Sequence, residues 1–141
     1  MRGAPVNGLG WNEILCVAGM DEASVVALTR ANTLARTMEA RLTVAAIDGL
    51  GDARAVARYA AWAREVADLT PSSCTIVGVS GAESALPARL RQVVTGVRAE
   101  LVVVPGGPEA TRCFSWLPPT QAWSIASESG AALLIARPRI V

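Results

Sequence analysis

Short apolar runs alternate along this chain with stretches whose apolar positions recur every three or four residues. Glu13–Ala18, Arg41–Ile47, Cys74–Val79, Leu101–Val104 and Ala131–Ala136 are the runs, each bounded by turn residues. Runs of that length, apolar on both alternating faces, predict buried strands of a parallel sheet. Val25, Leu28, Ala31, Leu34, Ala35 and Met38 predict an amphipathic helix from Glu22 to about Glu39, capped by Asp21 with Ser24 three residues on. A second helix is expected from Ala53 to about Asp68, capped by Asp52, with Val56, Tyr59, Ala60, Ala63, Val66 and Ala67 facing inward. Ser84 can cap a third, which has Pro87 in its early turn and carries Leu86, Leu90, Val93, Val94 and Val97. A long loop from Pro105 to Pro119 leads to a short fourth helix, Thr120 to Ser129, with Gly130 placed as its C-cap.

Strand and helix thus alternate four times and a strand closes the series. Such alternation predicts an α/β domain with a parallel sheet, right-handed crossovers and helices on both faces. Residues 13–141 read as one domain, and residues 1–12, with Gly3, Pro5, Asn7, Gly8 and Gly10, as a loose leader. At 141 residues and 52% apolar composition the chain can bury a sizeable core. Its net charge of +1 suggests no broad attraction to nucleic acid, and no apolar run approaches the roughly 20 residues that span a bilayer. Three scattered cysteines, Cys16, Cys74 and Cys113, fit a reducing cytoplasm better than a disulfide framework, and the absence of any CxxC pair argues against structural zinc.

Two missing residue types narrow the chemistry further. Without His, the usual Ser-His, Cys-His and His-metal arrangements are closed. Without Lys, all 13 cationic side chains being Arg, neither a P-loop lysine nor a Schiff base can form. No catalytic constellation emerges, so the expectation is a binding or regulatory module and no enzyme, with no metal site. The candidate chemistry lies at the end of the fourth strand, where Leu101-Val-Val-Val runs into Pro105-Gly-Gly107. A glycine turn at the carboxyl end of a parallel strand is where open α/β sheets bind ligands.

In order and spacing, the pieces of this chain resemble the universal stress protein family from about residue 13 to 138. Ile14-Leu-Cys-Val-Ala-Gly-Met-Asp-Glu-Ala-Ser24 is similar to the family's opening strand and turn, and Arg41-Leu-Thr-Val-Ala45 to its second strand. Val79-Ser-Gly-Ala-Glu-Ser-Ala-Leu86 resembles its turn into the third helix. Ala99-Glu-Leu-Val-Val-Val-Pro-Gly106 resembles its fourth strand and glycine turn, and Ala132-Leu-Leu-Ile-Ala-Arg-Pro138 its last strand. The resemblance implies a five-stranded sheet of order 3-2-1-4-5, a Rossmann-like fold of the adenine nucleotide alpha hydrolase type. The switch point would then lie between strands 1 and 4, beside Gly19 and Gly106. It also implies a homodimer in which Ala132, Leu133, Leu134 and Ile135 pair across a two-fold axis; an apolar edge strand agrees with that.

Many members of the family bind ATP at the switch point through a loop of Gly, two residues, Gly, nine residues, then Gly-Ser or Gly-Thr. Mapped onto this chain, Gly106 fits the first glycine, Glu109 stands at the second, Pro119 at the third, and Thr120 matches the hydroxyl. Glutamate places negative charge where phosphate oxygens would sit, and proline withholds an N–H donor. The acidic residue that closes the first strand in ATP-binding members corresponds to Gly19. ATP remains a possible ligand, with Gly19, Ile47, Gly106, Gly107 and Thr120 as candidate contacts. The first reading is a universal-stress-protein-like module without efficient ATP binding, the second an ATP-binding member with a divergent loop. A different flavodoxin-like binding domain is the third, although a response regulator would need an acidic pair after the first strand and a later lysine.

Each candidate has a plainer reading. Gly106 and Gly107 suit a tight turn, and Thr120 a helix cap. Phe114, Trp116 and Trp123 are half of the chain's six aromatics and fall within ten residues. They can form a contact surface for a protein partner or pack the loop onto the sheet. Arg112 can meet a phosphate or simply be solvated. Cys113 reads as an exposed loop thiol, with Cys16 and Cys74 in strands.

Overall fold

The computed structural model describes residues 11–47, 53–69 and 73–138. Five parallel strands, β1 (Glu13–Ala18), β2 (Arg41–Ile47), β3 (Cys74–Val79), β4 (Leu101–Pro105) and β5 (Ala132–Ala136), form one sheet of order β3-β2-β1-β4-β5. The expected topology is therefore present. Central β1 is paired on both sides, Cys16 standing opposite Val44 of β2 and Val103 of β4. All six of its residues are buried, as strands covered on both faces must be.

Side chains alternate across a strand, so β1 feeds two cores. Leu15 and Val17 join Leu90, Val94, Val102, Phe114 and Ile125 on one face. Ile14, Cys16 and Ala18 join Leu28, Ala31, Val44, Tyr59 and Ala63 on the other. The second face is covered by α1 (Glu22–Met38) and α2 (Ala53–Ala67), the first by α3 (Leu86–Val97), α4 (Pro108–Cys113) and α5 (Pro119–Glu128). Four-residue spacing carries the burial: Ala55, Tyr59, Ala63 and Ala67 on α2, and Leu86, Leu90 and Val94 on α3. Small alanines let helix and sheet approach closely, while each fully buried Leu or Val contributes about 1.5–3 kcal/mol.

Several boundaries differ from the sequence reading. The expected loop from Pro105 to Pro119 contains α4, because Pro108 can occupy the first turn of a helix and helix-compatible Glu109 to Arg112 continue it. The fourth expected helix, α5, begins at Pro119 with Pro118 in the capping position, so Thr120 is a second helical residue and not the cap. Ser84 falls in a 3-10 turn, Glu83–Ala85, ahead of α3; the cap is Ala85, with no side-chain hydrogen bond. Asn12 N–H donates to Glu100 Oε1 at 2.8 Å, and Asn12 O accepts from Arg41 N–H at 2.9 Å. Residues 1–10, the turn at 48–52 with its expected cap Asp52, residues 70–72 and residues 139–141 lie outside the described residues. No described helix is long and apolar enough to cross a membrane.

Candidate functional site

The carboxyl ends of β1 and β4 define the switch point, and α1 starts directly from it. Asp21 caps α1: one carboxylate oxygen accepts the Ser24 N–H at 3.1 Å and the other the Ser24 hydroxyl at 2.7 Å. Fully buried Ser24 in turn accepts the Gly19 N–H at 2.8 Å. From α4, Glu109 Oε1 accepts the Glu22 N–H at 2.9 Å. On the other side, the Gly106 N–H continues the β4–β5 ladder by donating to Ala136 O at 2.8 Å. The Tyr59 hydroxyl on α2 lies 3.2 Å from Ala18 O and 3.0 Å from Gly19 O, which ties the end of β1 from below. Burial, and then the charges of Cys16, Asp21 and Cys74, hold that phenol above its ordinary range, so it stays a donor.

Two cavities of about 500 Å³ each flank this turn. Gly106, Gly107, Thr111, Ile135 and Arg137 help line the first, between β4, β5 and α4. Gly19, Asp21, Ile47, Gly81, Glu83 and Trp116 help line the second, over β1 and β2. Phe114 is a wall of both. It is 5% exposed, and its Cζ stands 3.5 Å from where a Cβ on Gly19 would be. The benzyl group therefore sits in the crevice itself. Packing explains the position: Phe114 belongs to the core on that face of the sheet, and burying its side chain is worth about 1.5–3 kcal/mol.

The five candidate ligand contacts accordingly separate. Gly19 and Ile47 face the second cavity, Gly106 and Gly107 the first, and exposed Thr120 is not among the lining residues of either. Gly106 serves packing: a Cβ there would lie 2.5 Å from Ile135 Cγ2. Gly107 holds φ at +93°, a conformation that favours glycine, and caps α4. The three aromatics do not share one surface. Phe114 is core; half-buried Trp116 lies 6.2 Å from it, ring centre to ring centre, tilted by 49°. Trp123 projects from α5 at 63% exposure. Among the strand-5 candidates, Ala132 is exposed and Leu133, Leu134 and Ile135 are half-buried on an edge strand.

Two features escaped the sequence reading. Ser80, Gly81, Glu83 and Leu86 line the second cavity; their position just after β3 is the signal that could have pointed to them, since the ligand face of a parallel sheet lies beyond the carboxyl ends of its strands. The other is a cluster of Asp21, Glu109 and Cys113, whose ligand-type oxygens and sulfur lie within 4.8 Å of one another. Desolvation, and then the Asp21 and Glu109 carboxylates, push the exposed Cys113 thiol above its ordinary value, opposed by Arg112. No sequence signal brings residues 21, 109 and 113 together before the fold is known.

No protein-family model and no curated protein matches the chain. Solved structures do. A universal stress protein in complex with cAMP is 22% identical over 90% of this chain and 97% of its own, with a TM-score of 0.62. A universal stress protein from Archaeoglobus fulgidus is 11% identical over 92% and 96%, with a TM-score of 0.55. Protein Rv1636 from Mycobacterium tuberculosis H37Rv is 16% identical over 92% and 98%, with a TM-score of 0.52. This chain has the universal-stress-protein fold, at nearly its full length.

Proposed function

We propose that the chain is a universal-stress-protein-like binding or regulatory module, not an enzyme, which does not take ATP as nucleotide-binding members do. The observation that carries this reading is that four N–H donors of the switch point are already spent: Gly19 on Ser24, Ser24 on Asp21, Glu22 on Glu109 and Gly106 on Ala136. A polyphosphate needs such donors free, in an electropositive setting. Here a carboxylate occupies the first turn of α1, prolines stand in the cap and first position of α5, and Phe114 separates the two cavities. The module is proposed to act in the cytoplasm as a homodimer through the β5 edge, with a protein partner possible and neither nucleic acid nor membrane involved. Titration calorimetry with ATP and magnesium tests it: no heat at millimolar nucleotide is expected, and micromolar affinity overturns it.

A second reading has one observation in its favour. The 22%-identical structure was solved with cAMP, whose single phosphate asks less of the donors than a triphosphate does. The same calorimeter, loaded with cAMP, separates it from the first.

A further inference from the structure

We propose that the cavity over β1 and β2 binds a small methylated ammonium compound. The inference rests on the reading that the switch point does not hold a polyphosphate, and it names the class of ligand that fits instead. Four observations converge. Two carboxylates, Asp21 and Glu83, line the cavity, and no described lining residue is cationic. Glu109 adds a third, its oxygen within 4.8 Å of Asp21 and of Cys113, which also lines the cavity. Two aromatics, Phe114 and Trp116, form part of the wall at 6.2 Å and 49° to each other. The Gly19 N–H beside the cavity is taken by Ser24, so that donor is not free for an anion.

Cations lie near, but at the margin. The Arg89 guanidinium packs on Gly81, its Nε 3.1 Å from where a Cβ would be, and Arg112 acts on Cys113 from α4. Three acids against two arginines leave the mouth negative. An ammonium whose charge is spread over methyl groups carries no obligatory donors, is cheap to desolvate, and is attracted to aromatic faces as well as to carboxylates. A volume of about 500 Å³ suits a molecule of that size. The Asp21 oxygens that accept from Ser24 keep further lone pairs, so the helix cap and the ligand do not compete.

The experiment compares choline with 3,3-dimethylbutan-1-ol, its uncharged isostere, by calorimetry on the full chain. Choline is expected to bind saturably, and at least about tenfold tighter than the alcohol. Trp116→Leu is expected to weaken choline about fivefold and Glu83→Gln about twofold, with the alcohol unaffected by the latter. Should Trp116→Leu fail to fold by circular dichroism, the exposed Glu83→Gln carries the test alone. Equal affinity for the two compounds overturns the proposal, because an apolar pocket would explain it. So does zinc binding that protects Cys113 from alkylation while choline gives no heat, which would assign Asp21, Glu109 and Cys113 to a metal. A parallel titration with ATP and magnesium keeps the failures apart: silence to both compounds and to ATP removes this proposal only, whereas ATP binding removes the reading beneath it as well.

Discussion

Glu109 Oε1 and the Glu22 N–H meet at 2.9 Å across 87 residues of sequence, so that α4 supplies a carboxylate to the first turn of α1. The position favours negative charge, since the first turn of a helix presents unpaired N–H groups and the positive end of its dipole. Glu109 thereby does for α1 what an anionic ligand would otherwise do.

Removing that carboxylate should therefore cost stability. Glu109→Ala is expected to lose about 0.5–1 kcal/mol, or about 2–4 °C in Tm for a chain of this size. Glu109→Gln should lose less, because its amide oxygen can still accept. Differential scanning calorimetry checks both, and an unchanged Tm for the alanine variant would remove the capping role.

Phe114 is buried in the core beside the switch point. Phe114→Ala should cost about 3–5 kcal/mol through lost burial and the void left at the switch point, and Phe114→Leu distinctly less. Urea denaturation measures the difference. If Phe114 were instead a surface residue, as the sequence also allowed, both variants would lie within about 0.5 kcal/mol of the parent.

Two glycines should respond in opposite directions to the same change. Gly106→Ala places a methyl 2.5 Å from Ile135 Cγ2 and 3.0 Å from Arg137 Cγ, forcing β4 and β5 apart for about 1–3 kcal/mol. Gly96→Ala, inside α3 with nothing within 4 Å of the added methyl, should stabilise by about 0.5–1 kcal/mol. Thermal melts of the two variants settle the contrast.

The thiols should differ in reactivity. Cys113 is exposed, Cys16 fully buried and Cys74 half-buried, so iodoacetamide should label Cys113 first in the native protein. Its raised pKa means less thiolate at pH 8 than an ordinary cysteine has, and a labelling rate that climbs as pH rises past the unperturbed value. Taking away the negative charge with Glu109→Gln should move the profile to lower pH and speed labelling at pH 8. A profile that does not move would mean that the Glu109 charge is not felt at the sulfur.

The proposed dimer has its own measurement. β5 offers one unpaired edge with Ala132 exposed and Leu133, Leu134 and Ile135 half-buried, and light scattering at micromolar concentration should report twice the chain mass. Leu134→Pro, which removes a ladder donor and disfavours the strand, should shift the mass toward that of one chain. A monomeric parent would overturn pairing through β5.

Apolar runs between turn residues located all five strands and periodicity three of the four expected helices, because a buried strand and an amphipathic helix each write their contacts into neighbouring positions. Glu13–Ala18 and Arg41–Ile47 were legible to the residue for that reason. Segment 105–119 was not. Its Pro-Gly-Gly and Pro-Pro borders are turn signals, and the six-residue helix between them is too short to show a repeat. What stabilises α4 is remote: Phe114 is drawn into the core just after it, and Glu109 reaches the end of α1.

The same division holds for the site. Composition ruled out lysine and histidine chemistry before any coordinates, since a residue type that is absent cannot be supplied by folding. The turns after β1 and β4 were placed at the switch point because strand order follows from the alternation of elements together with the family resemblance. Whether those turns had free donors was only partly legible: the Asp21 cap on Ser24 is local, whereas the Glu22 N–H is spent on Glu109 and the Gly106 N–H on Ala136, groups that folding alone brings there. Gly19 meets Phe114 and Glu22 meets Glu109 only once α4 is seated against the start of α1. Residues that lie far apart in the chain acquire a shared chemistry from tertiary contact alone: that contact placed Phe114 in the wall of both cavities and the Glu109 carboxylate on the first turn of α1.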